Sequence, residues 1–222
     1  MPAIPRLAPN VILMQRYARP VTPAEISSAI TFLCAEIAPG VTPIYVDVRP
    51  KHGEDANECF HVVRRQVATV GGGAIIGWSI WELPGLFVEA EFHSVWRSPD
   101  GEHIDLTPKN EPTARILFLP TPDRTYDGRP LNNVRRALTR EPILSEWFDA
   151  LDAKYELLNR GDRAFEHGEI HLEGRDAIEY NAIEQAIEEL GVQVLGLHPH
   201  VGPYLPCLCG SGRKAKWCHR PR

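Results

Sequence analysis

Three cysteines and a histidine fall within thirteen residues near the end of the chain: Cys207-Leu208-Cys209, eight intervening residues, then Cys218-His219. Three thiolates and an imidazole complete a tetrahedral ligand set, so this stretch can close around a Zn2+ ion without help from elsewhere. Gly210-Ser211-Gly212 permits the sharp backbone reversal that turns the second ligand pair toward the first. Arg213, Lys214 and Lys216 can offset the charge of the thiolates. The competing reading, a reduced and metal-free cysteine cluster, leaves this complete ligand count and spacing without a purpose.

The run Pro206 to His219, PCLCGSGRKAKWCH, resembles the SEC-C motif, the zinc-binding tail of the SecA translocase and of many otherwise unrelated bacterial proteins. The resemblance implies a structural zinc ion held by Cys207, Cys209, Cys218 and His219. It also implies a contact with a protein or a ribosome through the basic knuckle, and no chemistry of its own.

The remaining length and charge bound the other regions. A chain of 222 residues can bury a substantial core, with one principal domain and small appendages as the expected partition. No stretch of eighteen apolar residues occurs, and MPAIPRLAPN lacks the charged-then-apolar profile of a secretory signal, so a cytoplasmic protein is expected. Cys34 and Cys59, the two cysteines outside the knuckle, then read as reduced thiols. The net charge of −5 hides a division: residues 141–190 carry 14 acids against 4 Lys/Arg, residues 207–222 carry 5 Lys/Arg and no acid, and residues 1–140 carry 15 of each. This distribution argues against a nucleic-acid-binding surface except at the basic tail.

Periodicity divides the chain into three parts. Thr22-Pro23-Ala24-Glu25 has the form of a capping box, followed by a stripe of Ile26, Ile30, Leu33, Cys34 and Ile37 that Pro39-Gly40 ends. Pro43 to Val48 reads as a strand. A second helix is expected from a cap at Asp55 or Asn57 to about Val70, before three glycines. Strands are expected at about 74–82, 86–97, 102–107 and 115–119, separated by turn residues. Leu144, Trp147, Phe148, Leu151, Tyr155 and Leu158 then form one helical stripe, and Ile178, Ala182, Ile183, Ala186, Ile187 and Leu190 another, ending at Gly191. Residues 196–206 read as a linker to the knuckle.

Candidate chemistry lies between residues 57 and 107. Cys59 falls in the first turn of its helix, where free N–H groups and the helix dipole favour a thiolate. A nucleophilic thiol needs an imidazole to take its proton and a carboxylate to hold that imidazole, and His93 and Asp105 follow in that order. Hairpin register decides whether they meet. Ser98-Pro99-Asp100-Gly101 suits a type I turn with Gly101 in the left-handed bulge position, which sets Val95 opposite Asp105 and leaves His93 as a diagonal neighbour on the same face. A two-residue Asp-Gly loop would put Asp105 on the opposite face instead.

The order Cys, His, Asp, with AEFHSVWRSPDGEHIDLTP spanning the last two, resembles the transglutaminase-like branch of the papain-type thiol enzymes. Phe60 supplies the aromatic residue that follows the cysteine in that superfamily, whereas Asn57 stands where it usually carries glycine. The resemblance implies Cys59 as nucleophile, His93 as general base and Asp105 as the orienting carboxylate. The Cys59 N–H, Asn57 and Gln15 are the candidate oxyanion donors.

The expected fold is therefore α+β: a helix followed by an antiparallel sheet as a papain/transglutaminase-like core over residues 1–140, an acidic helical segment over 141–195, and the knuckle over 203–222. Two functions stay open. One is a thiol-dependent hydrolase, peptidase or acyl transferase acting on an amide or acyl bond, with a peptide or other acyl substrate. The other is a catalytically silent scaffold that docks to a protein or ribonucleoprotein through its zinc knuckle. In the second case Cys59, on one helical face with Val63, Gln66 and Val70, is a packed core residue. A metal site of Glu89, Glu91 and His93 on one strand face competes with ordinary solvation of that face.

Overall fold

The computed structural model describes residues 20–56, 58–109, 113–166, 170–201, 204 and 213–218. The knuckle ligands Cys207, Cys209 and His219, the Cys218 side chain, and the oxyanion candidates Gln15 and Asn57 lie outside the described residues.

The first helix, α1 (Ser28–Ile37), starts five residues later than its capping-box signature suggests. Thr22 is used elsewhere: its hydroxyl donates to the Arg115 carbonyl at 2.8 Å, and the Pro23 carbonyl accepts from the Tyr45 hydroxyl. Ser27 caps the helix instead, accepting from the Ile30 N–H. Ile30, Leu33 and Cys34 form the buried stripe, while Ile26 lies outside the helix and is exposed.

The strand β1 (Ile44–Val48) leads through a polar loop into α2 (Cys59–Val70), whose N-cap is Glu58 and which has no side-chain cap. The hairpin of β2 (Gly73–Leu83) and β3 (Phe87–Arg97) follows, then β4 (His103–Asp105) and β5 (Arg115–Pro120). The strands order as β2-β5-β1-β4-β3, and β2 also pairs with β3, so the sheet closes into a small five-stranded barrel.

The sheet is mixed rather than antiparallel. β1 runs parallel to β4, with Asp47 beside Ile104 and Val48 beside Asp105. The reason is the long crossover between them: α2 and the β2–β3 hairpin carry the chain back to β1 in the same direction, a relationship invisible to a reading of neighbouring hairpins. A sixth strand, β6 (Val134–Ala137), pairs with the first half of β3. Its sequence, VRRA, shows no alternation of apolar and polar residues.

Two faces of the barrel strands do different work. Trp78, Ile80, Val88, Ala90, Phe92, Leu117 and Leu119 pack against α1. Val46, Val95, Ile116 and Phe118 form a separate cluster on the other face. The helix α2 sits on Trp96, Ile104 and Leu106 through Val62 and Val63, which anchors its N-terminal turn beside β3 and β4.

The acidic segment forms α3 (Pro142–Leu158), a 3-10 turn (Gly161–Phe165) and α4 (Gly174–Val201). The helix α4 passes through Gly191 and occupies much of the expected linker. Gly191 marks a close approach: a Cβ there would lie 3.3 Å from the Trp147 indole nitrogen, which donates to the Ile187 carbonyl. Leu144 and Val194 carry the helix pair onto Leu83, Leu86 and Phe87 at one end of the hairpin. A single turn, α5 (Ala215–Cys218), lies in the tail. No helix of the described residues is long and apolar enough to cross a membrane.

Candidate active site

The turn joining β3 to β4 sets the register of the site. The Gly101 N–H donates to the Ser98 carbonyl, the Ser98 N–H to the Glu102 carbonyl, and Gly101 adopts φ 90°, the left-handed bulge position. The Ser98 hydroxyl accepts from the Glu102 N–H and braces the loop. Trp96 pairs with Ile104, so Asp105 falls beside Val95, on the strand face that carries His93.

His93 Nε2 lies 3.2 Å from Asp105 Oδ2, an ion-pair contact whose angle falls short of an aligned hydrogen bond. Asp105 is fully buried, and its other oxygen accepts from the Thr107 N–H at 2.9 Å. Its backbone is held as well, the Asp105 carbonyl accepting from the Arg49 N–H. Lys109, four residues on, brings its ammonium to 2.7 Å from the same Oδ2. Nothing in the residue pattern marks Lys109 in advance; it follows Pro108 as the chain leaves β4.

Burial works against an imidazolium at His93, but the charges of Asp105 and Cys59 outweigh it. They raise its pKa from 6.5 to about 10, with Lys109 opposing. Burial likewise disfavours the Asp105 carboxylate, yet His93 and Lys109 together hold it well below the usual carboxylate range. The four side chains thus alternate in sign when ionised: sulfur, imidazolium, carboxylate, ammonium.

Cys59 is the first residue of α2, where the backbone N–H groups have no partner within the helix. It is 4 % exposed and opens, with His93 and Lys109, into a cleft of about 650 Å³. Cys34 differs. It lies in the α1 stripe away from the cleft, and burial pushes its thiol up to about 11.

The cleft has an aromatic wall and an acidic wall. Phe60 stacks on Tyr126 with ring centroids 3.8 Å apart and packs on Phe92 at 5.0 Å. Trp81 packs on the Val46, Val95, Ile116 and Phe118 cluster, also lines the cleft, and donates its indole N–H to Glu91 Oε2 at 2.8 Å. Glu89, two residues away on the same face, accepts from Arg135 and Asn133, and Arg135 continues to Asp152 on α3. Glu89 is thus tied to a cation and Glu91 to a neutral indole. No group of three His, Cys, Asp or Glu among the described residues is arranged to hold a metal ion.

The support behind His93 comes from Gly77 and Phe118. Gly77 pairs with His93 across the hairpin, and the Phe118 ring meets the imidazole edge-on at 6.5 Å. A Cβ on Gly77 would come within 2.5 Å of that ring and 2.3 Å of the Leu119 carbonyl oxygen. Glycine is therefore required there by close approach, although its φ is ordinary.

Compared with protein-family models, with curated proteins and with solved structures, the chain matches none.

Proposed function

We propose that the protein is a thiol-dependent enzyme that cleaves or transfers an acyl group at an amide or ester bond through a thioester on Cys59. The observation that carries this reading is the convergence on one cleft of a helix N-terminal cysteine and a buried imidazole backed by a buried carboxylate. A closed barrel with that helix laid across it is also compatible with a papain/transglutaminase-like core.

In the proposed reaction the proton of the Cys59 thiol rests on His93 in a thiolate–imidazolium pair, and the sulfur attacks the carbonyl carbon. A C–S bond forms as the bond to the leaving nitrogen or oxygen breaks, and the His93 imidazolium protonates the leaving group. Water or an amine then enters, losing its proton to His93, and displaces Cys59 as the thiol. With Nε2 turned to Asp105, Nδ1 is the ring nitrogen left for these transfers. The N–H groups at the start of α2 are positioned by type to receive the oxyanion.

The C-terminal run supports a second element of the proposal on its spacing alone: a structural Zn2+ bound by Cys207, Cys209, Cys218 and His219, in a basic knuckle that docks the enzyme to a protein partner.

The test is acylation of Cys59 by p-nitrophenyl acetate, followed by peptide mass spectrometry of the native protein. The expected result is an acetyl group on Cys59 and none on Cys34. Loss is expected to be complete in Cys59→Ala, and a slowing of at least about a hundredfold is expected in His93→Ala. A Cys59 that acquires no acetyl group would leave the adaptor reading in possession of the fold.

A further inference from the structure

The two glutamates beside His93 differ in one respect that bears on what enters the cleft. Glu89 is neutralised by Arg135, whose guanidinium lies 2.7 Å from its carboxylate. Glu91 has a neutral partner only, the Trp81 indole, and no Lys or Arg of the described residues pairs with it. The indole fixes the carboxylate without cancelling its charge.

Glu91 is two residues from His93 along β3, so its carboxylate emerges on the same strand face, roughly 7 Å away between backbones. Trp81 adds an aromatic ring to the same wall. A cation beside a carboxylate gains a charge-assisted hydrogen bond, and the indole N–H holds this carboxylate in place. Lys109, the cleft's own ammonium, is committed to Asp105.

The far rim adds to this field. Tyr155, Asn159 and Glu166 bring the acidic helical segment to the cleft, and residues 141–190 carry a net charge of −10. Within the cleft the ionised Cys59, His93, Asp105 and Lys109 balance one another, which leaves Glu91 and the acidic rim to bias it toward cations.

We infer that Glu91 and Trp81 form a subsite for a cationic group of the substrate, a primary ammonium or a guanidinium, in the same cleft as Cys59 and on the strand face that carries His93. This deepens the proposed thiol chemistry and rests on it. The substrate class becomes an acyl compound or peptide with a basic group next to the reacting carbonyl, or an amine that accepts the acyl group.

The experiment uses three methanethiosulfonates of different charge: the aminoethyl (cationic), methyl (neutral) and sulfonatoethyl (anionic) reagents. Their second-order rates at Cys59 are read by peptide mass spectrometry on the full chain and normalised to the same reagents on free cysteine. The cationic-to-anionic ratio is expected to exceed that of free cysteine by at least about tenfold, the size set by one charge about 7 Å away at the dielectric of water, and more at the lower dielectric of a cleft. Glu91→Gln keeps an acceptor for the Trp81 N–H and is expected to remove most of the preference; Glu91→Lys is expected to reverse it.

A Cys59 that reacts with all three reagents at the free-cysteine ratio overturns the subsite, as does a preference that survives Glu91→Gln. Either result leaves the acylation chemistry standing. Charge selectivity in a protein that p-nitrophenyl acetate never acylates keeps the cation site and removes the enzyme. Silence toward every reagent overturns both.

Discussion

The Lys109 ammonium lies 2.7 Å from Asp105 Oδ2, the same carboxylate oxygen that faces His93 at 3.2 Å. One buried carboxylate therefore serves two cations, and removing it is a different event from removing either partner. Asp105→Asn strands an imidazolium and an ammonium together and is expected to cost about 3–5 kcal/mol, the range for breaking a buried pair. Lys109→Met leaves Asp105 with His93 and is expected to cost less, about 1–2 kcal/mol by the same argument. Urea unfolding at pH 6 measures both. Because Lys109 pulls the His93 pKa down, Lys109→Met is also expected to move the His93 titration upward, read from its ring signals by NMR.

The pH dependence of stability follows from the same pair, and its sign is opposite at the two ends. His93 has its folded pKa raised from 6.5 to about 10, so its contribution is complete below pH 6.5 and is lost as pH rises through about 10. Asp105 has its folded pKa depressed from 3.8, so its contribution is complete above pH 3.8 and disappears as pH falls toward the folded value. Wild type is expected to exceed His93→Gln by at least about 2 kcal/mol at pH 6, with the gap closing by pH 10. Thermal melts of both proteins across that range check it. A gap that widened with pH would mean that His93 is neutral in the folded protein.

Local chemistry made part of this site readable. Pro99 and Gly101 specify their turn through fixed φ and left-handed φ, the turn specifies the register, and the register puts Asp105 on the face of His93. Lys109 had no such marker, because it reaches Asp105 through the path of the chain after Pro108 and not through any period. The parallel pairing of β1 with β4 was hidden for a related reason: it is made between segments separated by a helix and a hairpin. Thr22 and Gly191 misled because each has a local meaning, cap and stop, that a tertiary contact overrides. The strand β6 escaped notice since Arg135 and Arg136 are spent on Glu89 and Glu36 rather than on an alternating pattern.

For the knuckle, the expected content is one zinc ion per chain, measured by plasma mass spectrometry on protein purified without chelator. Cys218→Ser is expected to lose the metal. The α+β body has its core clusters elsewhere, in residues 30–119 and at the hairpin end beside α3 and α4, so its cooperative unfolding should persist in that variant. Collapse of the whole chain on chelation would show that the metal supports more than the tail.

The narrowest test of the scaffold behind the site is Gly77→Ala. The added methyl would sit 2.3 Å from the Leu119 carbonyl oxygen and 2.5 Å from Phe118, and the first of these is backbone in a paired strand, which cannot swing aside. Overpacking of this kind is expected to cost about 1–3 kcal/mol. The relief available to the protein is movement of Phe118, and Phe118 is the ring against which His93 stands edge-on. A loss of stability should therefore be accompanied by a loss of His93 placement: acylation of Cys59 by p-nitrophenyl acetate should fall by at least about tenfold at a temperature where the variant is fully folded. Gly101→Val supplies the comparison. It strains the turn at φ 90° where nothing lies within 4 Å of an added Cβ, so it tests register without touching the ring. Gly77→Ala that loses stability yet acylates at the wild-type rate would show that the imidazole is held by Asp105 alone.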